Sequence, residues 1–438
     1  MAFLRNLLLL LVLVVCLAVW VMLPWPGALA LALLLGLWLA FTRRGNQTRS
    51  VAGVGLSTLN QRLGSSAVIV VGIAGVVGVL VALLAMAEGY SQTLRSTGSA
   101  DTAIVMRGAS ASEVMSGLEH AAVGLIAQTP GIARDARGEP LASPELVVAA
   151  NLPVKGGGPD EEGSVQLRGV GDQAWAVRPQ VKIVEGRRFQ PGLRELVVGR
   201  GAARQFAGLQ PGQQVRLGNQ SWVVAGVFAS GDAMESEVWG DAAVVADTYG
   251  RGSARASVTV RLADPQAFKS FKTALESNPQ LQVEASTTAD YYSKQSERMV
   301  QVIRIMGITV GAIMAIGAMF GALNTMFAAV AARAREIATL RAIGFAGLPV
   351  VVAVMLETML LALAGGVIGG LLAWLLFNGY SASTLAAGTV GQLAFELRVT
   401  PALLWTGLKW ALGIGFIGGL FPAVRAARMP VTAALREL

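Results

Sequence analysis

The chain has 438 residues, of which 54% are hydrophobic and only 14% charged, and its mean hydropathy is +0.57. Soluble domains carry about 25% charged residues, so this composition excludes an ordinary soluble protein. The chain has one Cys and one His, Cys16 and His120, which excludes a disulfide framework and a Cys/His zinc site.

Long apolar runs account for this composition. Four runs approach or exceed the roughly 20 residues that a membrane-spanning helix needs, namely residues 67–86, 305–332, 350–377 and 403–423. Two shorter runs, 7–23 and 28–41, precede them and are separated by the turn-forming residues 24–27. We therefore predict six transmembrane helices, although the first run also resembles the apolar core of a secretory signal peptide.

The charges of the connecting segments predict the orientation. Segment 90–298 holds 21 Lys and Arg against 22 Asp and Glu, whereas the remaining connecting segments hold 11 basic residues against two acidic ones. Cytoplasmic loops are rich in Lys and Arg. We therefore predict a multi-pass membrane protein, surrounded by lipids, with both termini in the cytoplasm and one large extracytoplasmic domain. The pI near 10.0 reflects this topology, and no basic patch indicates nucleic-acid binding.

The expected fold class is an α-helical membrane protein with a large extracytoplasmic α+β domain. Its predicted parts are an N-terminal hairpin (1–41), a cytoplasmic linker (42–66), transmembrane helix 3 (67–89), the periplasmic domain (90–298) and transmembrane helices 4–6 (299–438). Within the linker, residues 50–65 have apolar residues at helical spacing. That spacing suits a short interfacial helix, but a plain linker fits nearly as well.

The periplasmic segment alternates between strand and helix patterns. Strand 102–106 and helix 111–128 open it, and strand 256–262, helix 264–277 and strand 281–285 close it. Between them, residues 163–250 read as a β-rich lobe with strands at 165–170, 195–198, 214–217, 221–228 and 241–245. We therefore predict a β-rich lobe inserted between two β-α-β units.

Acidic residues in this segment are the candidates for chemistry. The run 160–162 favours a solvated loop. Asp232, Glu235, Glu237 and Asp241 form a second cluster, for which a divalent-cation site is the weaker interpretation. The sequence contains neither a Gly-x-Ser-x-Gly nor a His-Glu-x-x-His motif. We predict no catalytic residue and no metal site.

The chain contains no Gly-x-x-x-x-Gly-Lys-Ser/Thr loop, so we predict that it binds no ATP through a P-loop. Residues 333–345 nevertheless predict a short helix between two spans, with Ile337, Leu340, Arg341 and Gly344 on one face. The charged Arg333, Arg335 and Glu336 surround that face, Ile343 and Phe345 follow it, and Gly344 is placed to end the helix. Such a helix suits docking of a partner, while the alternative is that Arg333 and Arg335 only set the topology.

The spans themselves carry two kinds of notable residue. Glu357 lies about 10 Å inside its span, at 1.5 Å per residue, and an intramembrane acid is a functional candidate. We expect it to hydrogen-bond a neighbouring span or the short helix. Pairs of glycines four residues apart allow close helix packing, within the chain or at a dimer seam, at Gly317, Gly321, Gly365, Gly366, Gly369, Gly370, Gly415 and Gly419.

Three membrane stretches carry a family resemblance. They are 335–344, then Leu356-Glu357 with the glycine-rich 365–369, and finally 421–428 followed by Pro430 and 433–436. In the outer segment, 195–199, Gly208, Gly212 and 223–227 have a matching spacing. Together these stretches resemble the FtsX/MacB-like permease family of ABC transporters, of the mechanotransmission type. The N-terminal hairpin lies outside the four-span core of that family.

The resemblance implies a non-catalytic permease that docks on an ABC ATPase, which binds ATP and Mg²⁺, and on a second permease copy, more often identical than paralogous. It also implies a location in the bacterial inner membrane, with the large domain in the periplasm. Export or efflux with a periplasmic adaptor and an outer-membrane channel is the implied function. Lipoprotein extraction and activation of a cell-wall hydrolase are the alternatives. The sequence does not identify the substrate.

Overall fold

The computed structural model describes residues 19–20, 22–57, 63–158, 161–385 and 391–430. The chain divides into two compact units. The first, which we call the helical unit, comprises residues 1–86, 303–378 and 398–438. The second, which we call the α+β domain, comprises residues 87–302 and 379–397. Residues 379–397, expected among the last spans, thus belong to the α+β domain.

The described helices are α1 (Trp25–Phe41), α2 (Arg43–Ser57), α3 (Leu63–Thr97), α4 (His120–Ala127), α5 (Gln173–Val177), α6 (Arg200–Gln205), α7 (Ala242–Thr248), α8 (Ala267–Glu276), α9 (Thr288–Ala332), α10 (Ala334–Ala342), α11 (Gly347–Phe377) and α12 (Pro401–Arg428). The described strands are β1 (Thr102–Arg107), β2 (Ala142–Pro153), β3 (Glu162–Val170), β4 (Lys182–Gly186), β5 (Glu195–Gly199), β6 (Gln214–Leu217), β7 (Gln220–Ala229), β8 (Glu237–Asp241), β9 (Ser257–Arg261), β10 (Val283–Thr287), β11 (Ser381–Leu385) and β12 (Gln392–Glu396).

Four described helices, α3, α9, α11 and α12, are long and apolar enough to cross a membrane. They correspond to four of the six predicted spans. The second N-terminal run forms α1, which meets α2 at an angle of 96°, and the two pass the same test only as one bent pair. Most of the first run, including Cys16, lies outside the described residues.

Helix α2 begins earlier than the interfacial helix predicted at 50–65, and residues 58–62 lie outside the described part. The reason for the early start is a cap at Thr42. Its hydroxyl accepts a hydrogen bond from the Gly45 N–H at 2.9 Å, which satisfies an amide that the first turn leaves unpaired. The helix therefore starts in the polar stretch that follows the bend.

One continuous sheet runs through the α+β domain, in the order β10-β1-β9-β2-β3-β8-β5-β7-β4, with β6 paired to β7. The strand that makes it continuous is β2, which the sequence analysis missed. Its first residues, 142–145, pair with β9, and residues 146–153 pair with β3. The β-rich lobe, which lies between the two ends of the α/β lobe in the sequence, is therefore joined to that lobe by a shared strand.

Two hydrophobic cores define the lobes of this domain. The first, which we call the α/β lobe, packs α4 and α8 against β1, β9 and β10 around Ile126, Val258 and Phe271. The second, the β-rich lobe, packs around Leu167, Phe206 and Trp222. The hairpin β11–β12 packs against the β-rich lobe, where the Ala394 N–H donates to Ser236 Oγ at 2.9 Å.

Two local predictions are wrong. The helix predicted at 111–128 is a 3₁₀ turn, Glu113–Met115, followed by the shorter α4. Between them, Leu118 pairs with Arg255 in a β-bridge, and this long-range pairing replaces the helical hydrogen bonds. The strand predicted at 241–245 is α7, because the Asp241 carboxylate caps the amides of Ala243 and Val244.

Candidate functional site

The helix between α9 and α11 is held at its beginning by a buried ion pair. Arg333, which immediately precedes α10, is 7% exposed, and Glu357 of α11 is 8% exposed. Arg333 Nη1 donates to Glu357 Oε2 at 3.1 Å, and Arg333 Nε donates to Glu336 Oε2 at 3.1 Å. Removing one partner of a buried pair leaves an uncompensated charge, so this pair fixes the start of α10 against α11.

A third helix covers the ion pair. A Cβ added to Gly55 of α2 would lie 3.0 Å from Arg333 Nη1 and 3.1 Å from Glu357 Oε2. Those distances are shorter than ordinary van der Waals contacts, so a larger residue at this position would push against the ion pair. The pair is thus enclosed by α2, α10 and α11, all of them in the helical unit.

The other end of α10 is held by α12. Gly344 has φ +104° and ends the helix in the left-handed region, as the sequence indicates. Arg341 Nη1 donates to the Met429 carbonyl at 2.6 Å, just beyond the last residue of α12. Both ends of α10 are therefore attached to membrane-type helices.

The exposed face of α10 differs from the predicted one. Ile337 is buried, with 4% exposed, and Leu340, Arg341 and Phe345 are half-buried. Of the nine residues predicted for docking, the exposed ones are Arg335, Glu336, Ile343 and Gly344. Ile343 is 69% exposed, a high value for a large apolar side chain. Arg333 is buried and paired with Glu357. It is therefore not part of the docking surface, contrary to the expectation from the sequence.

Six of the eight candidate glycines lie at helix contacts within the chain. Gly365 and Gly369 face the α3 backbone at Val70 and Ala74, and the others meet α11 or α12 side chains. These six are Gly365, Gly366, Gly369, Gly370, Gly415 and Gly419. Gly317 and Gly321 of α9 differ, since a Cβ added at either would meet nothing within 4 Å.

The α+β domain contains a buried charge network, which we call the Arg168 network. Arg168 is 1% exposed, and its five N–H donors are all used. It donates to both carboxylate oxygens of Glu237 at 2.7 and 2.8 Å, to both of Glu113 at 2.9 and 3.1 Å, and to Glu145 at 2.7 Å. Arg178 also donates to both Glu145 oxygens.

The Arg168 network joins the two lobes. Arg168 and Glu237 lie on β3 and β8 of the β-rich lobe, while Glu113 follows β1 of the α/β lobe and Glu145 lies on the shared β2. Burial by itself would raise the pKa of Glu145, but Arg178 and Arg168 lower it below its ordinary value. Burial likewise lowers the pKa of Arg168, and the Glu113 and Glu237 carboxylates raise it well above its ordinary value. Glu145 and Arg168 are therefore both charged within the network.

The acidic cluster that the sequence suggested for a cation is divided among separate roles. Glu237 belongs to the Arg168 network, Asp241 caps α7, and Glu235 Oε1 accepts from the amides of Ser230 and Gly231, both at 2.9 Å. Asp232 caps the 3₁₀ turn Ala233–Ser236. Within the described residues, no group of three or more His, Cys, Asp and Glu side chains is arranged to hold a metal ion. Asp160 lies outside them.

Sequence reasoning missed Arg168, Arg178, Glu113 and Glu145. They are separated by 10 to 65 positions, so no local spacing connects them. One signal was available, because Arg168 interrupts an apolar strand, with Leu167 on one side and Val170 beyond it. A charged residue in a buried strand requires a partner, although the sequence does not say which.

We predict that Gly369→Val prevents correct folding of the helical unit, because its side chain would collide with the Ala74 backbone. Gly75→Val in α3, the matched control, should leave the fold unchanged, since its side chain meets nothing within 4 Å. Size-exclusion chromatography and thermal unfolding of both variants in detergent measure the effect. Equal unfolding temperatures for the two variants would contradict the packing described here.

We predict that Arg168→Met destabilises the α+β domain by about 3–5 kcal/mol, because three buried carboxylates lose their shared partner. Lys272→Met is the control, since Lys272 forms an exposed pair with Glu276 at 3.6 Å, worth only about 0.2–0.5 kcal/mol. Denaturant unfolding of the full chain in detergent, followed by tryptophan fluorescence, gives both values. A loss below about 1 kcal/mol for Arg168→Met would show that the network does not stabilise the domain.

Comparison with known proteins places these features in a family. The family model for the MacB-like periplasmic core domain matches residues 66–278, and the model for the FtsX-like permease C-terminal region matches residues 308–431. Comparison with curated proteins gives no match.

Solved structures give distant similarities to part of the chain. The extracellular domain of the noncanonical ABC-type transporter YknZ from Gram-positive bacteria is 16% identical, with a TM-score of 0.33, over 42% of this chain and 100% of its own length. The periplasmic region of MacB from Actinobacillus actinomycetemcomitans is 16% identical, with a TM-score of 0.34, over 45% of this chain and 93% of its own. Scores this low say nothing about function. The two family models confirm the resemblance found in the sequence, and the chain belongs to the FtsX/MacB-like family of ABC transporter permeases.

Proposed function

We propose that the chain is the permease subunit of an ABC exporter and couples ATP hydrolysis by a separate ATPase subunit to movement of its periplasmic domain. ATP and Mg²⁺ bind to the ATPase, and this chain contributes no catalytic residue. The observation that supports the proposal is α10, a short helix held at one end by Glu357 of α11 and at the other by Met429 after α12.

The attachment of α10 suits force transmission. A helix held at both ends cannot move without moving α11 and α12. Its exposed Arg335, Glu336 and Ile343 combine two charges with an apolar side chain, the composition of a docking surface for another protein. Displacement of a docked ATPase is then passed to the spans through the Arg333–Glu357 pair.

The charge distribution supports the proposed topology. Arg333, Arg335 and Arg341 surround α10, and Arg425 and Arg428 lie in the last turn of α12. With these residues on the cytoplasmic side, the α+β domain is periplasmic and both termini are cytoplasmic. The ATPase then meets α10 on the side where ATP is present.

A second copy of the chain is the proposed membrane partner. Gly317 and Gly321 lie one helical turn apart on α9, and both have open space where a side chain would be. Glycines at this spacing allow two transmembrane helices to approach closely. Since six other glycines already pack within the chain, these two remain for contact between chains.

The proposed transport assembly includes a periplasmic adaptor and an outer-membrane channel. To test the proposal, tagged protein is purified from the native host in mild detergent, and the associated proteins are identified by mass spectrometry. A P-loop ATPase together with an adaptor supports the exporter. A paralogous permease in place of an adaptor would instead indicate lipoprotein extraction, and a cell-wall hydrolase would indicate a regulator. Recovery of no ATPase, under conditions that preserve a known ABC complex, would contradict the proposal.

We predict that Arg335→Glu combined with Ile343→Asp reduces retention of the ATPase by roughly tenfold or more, the effect of losing an interface hot spot. Both residues are exposed, so the fold should be unaffected. Arg251→Glu, an exposed charge reversal in the α+β domain, is the control and should retain the ATPase fully. Equal co-purification of the ATPase with both variants would exclude α10 as the docking helix.

We predict that Glu357→Gln keeps the ATPase bound but lowers permease-stimulated ATP hydrolysis by about fivefold or more, within the usual range of coupling energies. The neutral amide removes the buried carboxylate partner of Arg333 and leaves only Glu336, whose side chain is 48% exposed. Gly55→Val, which crowds the same pair from α2, should have the same effect, and Glu396→Gln, at an exposed position, should have none. Wild-type stimulation in Glu357→Gln would remove the ion pair from the mechanism.

A further inference from the structure

The junction of α1 and α2, which we call the basic corner, combines an apolar surface with a basic one. Its residues are Phe41 of α1 and Arg43, Arg44 and Arg49 of α2. Phe41 is 82% exposed, and none of the residues of α1 is buried within the chain. Helix α2 begins two residues later, at an angle of 96° to α1. A lipid whose acyl chains cover the last turns of α1 would therefore have its headgroup beside the first turn of α2.

Contacts at its two ends show how α1 lies among the other helices. Just before α1, Trp20 Nε1 donates to the Lys409 carbonyl at 2.9 Å, in the first third of α12. Just after α1, helix α2 packs against α11 near Glu357, where α10 begins. Helix α1 therefore runs alongside the membrane-type helices, and its 17 residues cover about 25 Å, close to the roughly 30 Å of a hydrocarbon core. Since α2 turns away by 96°, it lies along the membrane surface.

Helix α2 has a packed face and an exposed polar face. Thr48 and Val51 are buried, and Gly55 lies against the Arg333–Glu357 pair. The exposed residues recur at helical spacing, at Arg43, Asn46, Arg49, Ser50 and Gly53. Arg44, in the first turn, is exposed as well. The packed face fixes α2 on the helical unit, and the three guanidinium groups are left on its surface.

The positive charge of the basic corner is not compensated by carboxylates of the described helical unit. The sequence of α2 contains no Asp or Glu, and that of the whole unit contains three acidic residues, Glu336, Glu357 and Glu437. Glu336 and Glu357 both accept from Arg333, and the third lies outside the described residues. The three arginines of the corner form no salt bridge within the part of the chain that the structure describes, and Arg49 Nη2 donates to the neutral side chain of Asn46. An anion would therefore be favourable at this position.

We propose that the basic corner binds an anionic phospholipid, such as phosphatidylglycerol. The guanidinium groups of Arg43 and Arg44 donate to its phosphate oxygens, its acyl chains cover the end of α1, and the charge of Arg49 adds to the attraction. A soluble protein at the corner would leave the apolar surface of α1 uncovered, whereas a lipid covers both surfaces. The proposal is independent of the proposed transport function, because binding is measured on the permease alone.

The position of α2 gives the bound lipid a structural consequence. Helix α2 covers the Arg333–Glu357 pair through Gly55, and that pair holds the start of α10. A headgroup that holds the first turn of α2 at the membrane surface therefore also holds the helix that encloses the pair.

The test uses the full chain in dodecyl maltoside, a detergent without charge. The probe is dioleoyl phosphatidylglycerol, and its matched control is dioleoyl phosphatidylcholine, which has the same acyl chains and a headgroup without net charge. Native mass spectrometry across a titration of each lipid gives the affinities. Each arginine near an anionic headgroup strengthens binding by roughly fivefold, so we expect phosphatidylglycerol to bind at least tenfold more tightly than phosphatidylcholine. Equal binding of the two lipids, or binding of neither, would overturn the proposal.

A competition experiment distinguishes a lipid from a free anion. Inorganic phosphate, at the concentration of the phosphatidylglycerol, should leave the bound lipid in place, because phosphate lacks the acyl chains that contact α1. Displacement of the lipid by phosphate would show that the corner is a phosphate site and would overturn the assignment to a lipid.

Substitution of the arginines locates the site. Arg43→Gln, Arg44→Gln and Arg49→Gln combined should weaken binding of phosphatidylglycerol by about tenfold or more. The control removes the same charge from three exposed positions of the α+β domain and should leave the affinity unchanged, with the substitutions Arg194→Gln, Arg216→Gln and Arg251→Gln. Unaltered lipid affinity in the α2 variant would overturn the proposal, also where that variant loses the ATPase instead, since α2 would then be a protein-docking surface.

A single substitution keeps the test decisive if the triple variant inserts wrongly into the membrane. Arg44→Gln retains two of the three charges that favour a cytoplasmic position of this segment. It should weaken binding of phosphatidylglycerol by about fivefold and leave binding of phosphatidylcholine unchanged. The same affinity for phosphatidylglycerol as in the unmodified chain would overturn the role of Arg44 in the site.

Discussion

The α+β domain depends on how the buried guanidinium group of Arg168 is hydrogen-bonded inside it. One guanidinium group uses all five N–H donors on Glu113, Glu145 and Glu237, which come from three different parts of the chain. A buried ion network of this kind stabilises little compared with apolar packing, but breaking it is costly. It therefore acts mainly as a constraint on geometry. The two lobes, each with its own hydrophobic core, are held in one relative arrangement around the shared strand β2.

The same physical principle recurs on a smaller scale in the helical unit. Arg333 and Glu357 form a buried pair that fixes α10 against α11, and Gly55 allows α2 to cover it. In both places a charge that would be unfavourable alone is held by partners from distant parts of the sequence. In the helical unit this arrangement leaves Arg335, Glu336 and Ile343 exposed for a partner.

The helix contacts of the membrane part follow from small residues. Gly365 and Gly369 let α11 lie against the α3 backbone, and Gly415 and Gly419 do the same between α12 and α11. Without a strong hydrophobic driving force inside a bilayer, close backbone approach supplies much of the attraction. The open positions at Gly317 and Gly321 stand out for this reason, since the same spacing has no partner among the described residues.

Sequence alone determined the features that depend on local pattern. Apolar runs gave four of the membrane-type helices, because length and hydropathy are properties of a continuous segment. The motifs around Arg335–Gly344 and Glu357 identified the family, and Gly344 indicated where α10 ends. The tertiary structure decided what depends on partners far apart in the chain. The pairing of Leu118 with Arg255 replaced part of a predicted helix, and β2, a strand that was not predicted, joined the two lobes. Ile337 is buried, whereas Ile343 is exposed. The roles of Arg168 and Asp232 follow only from the residues around them in the structure. The sequence shows that a residue is charged, but it does not show which distant group compensates that charge.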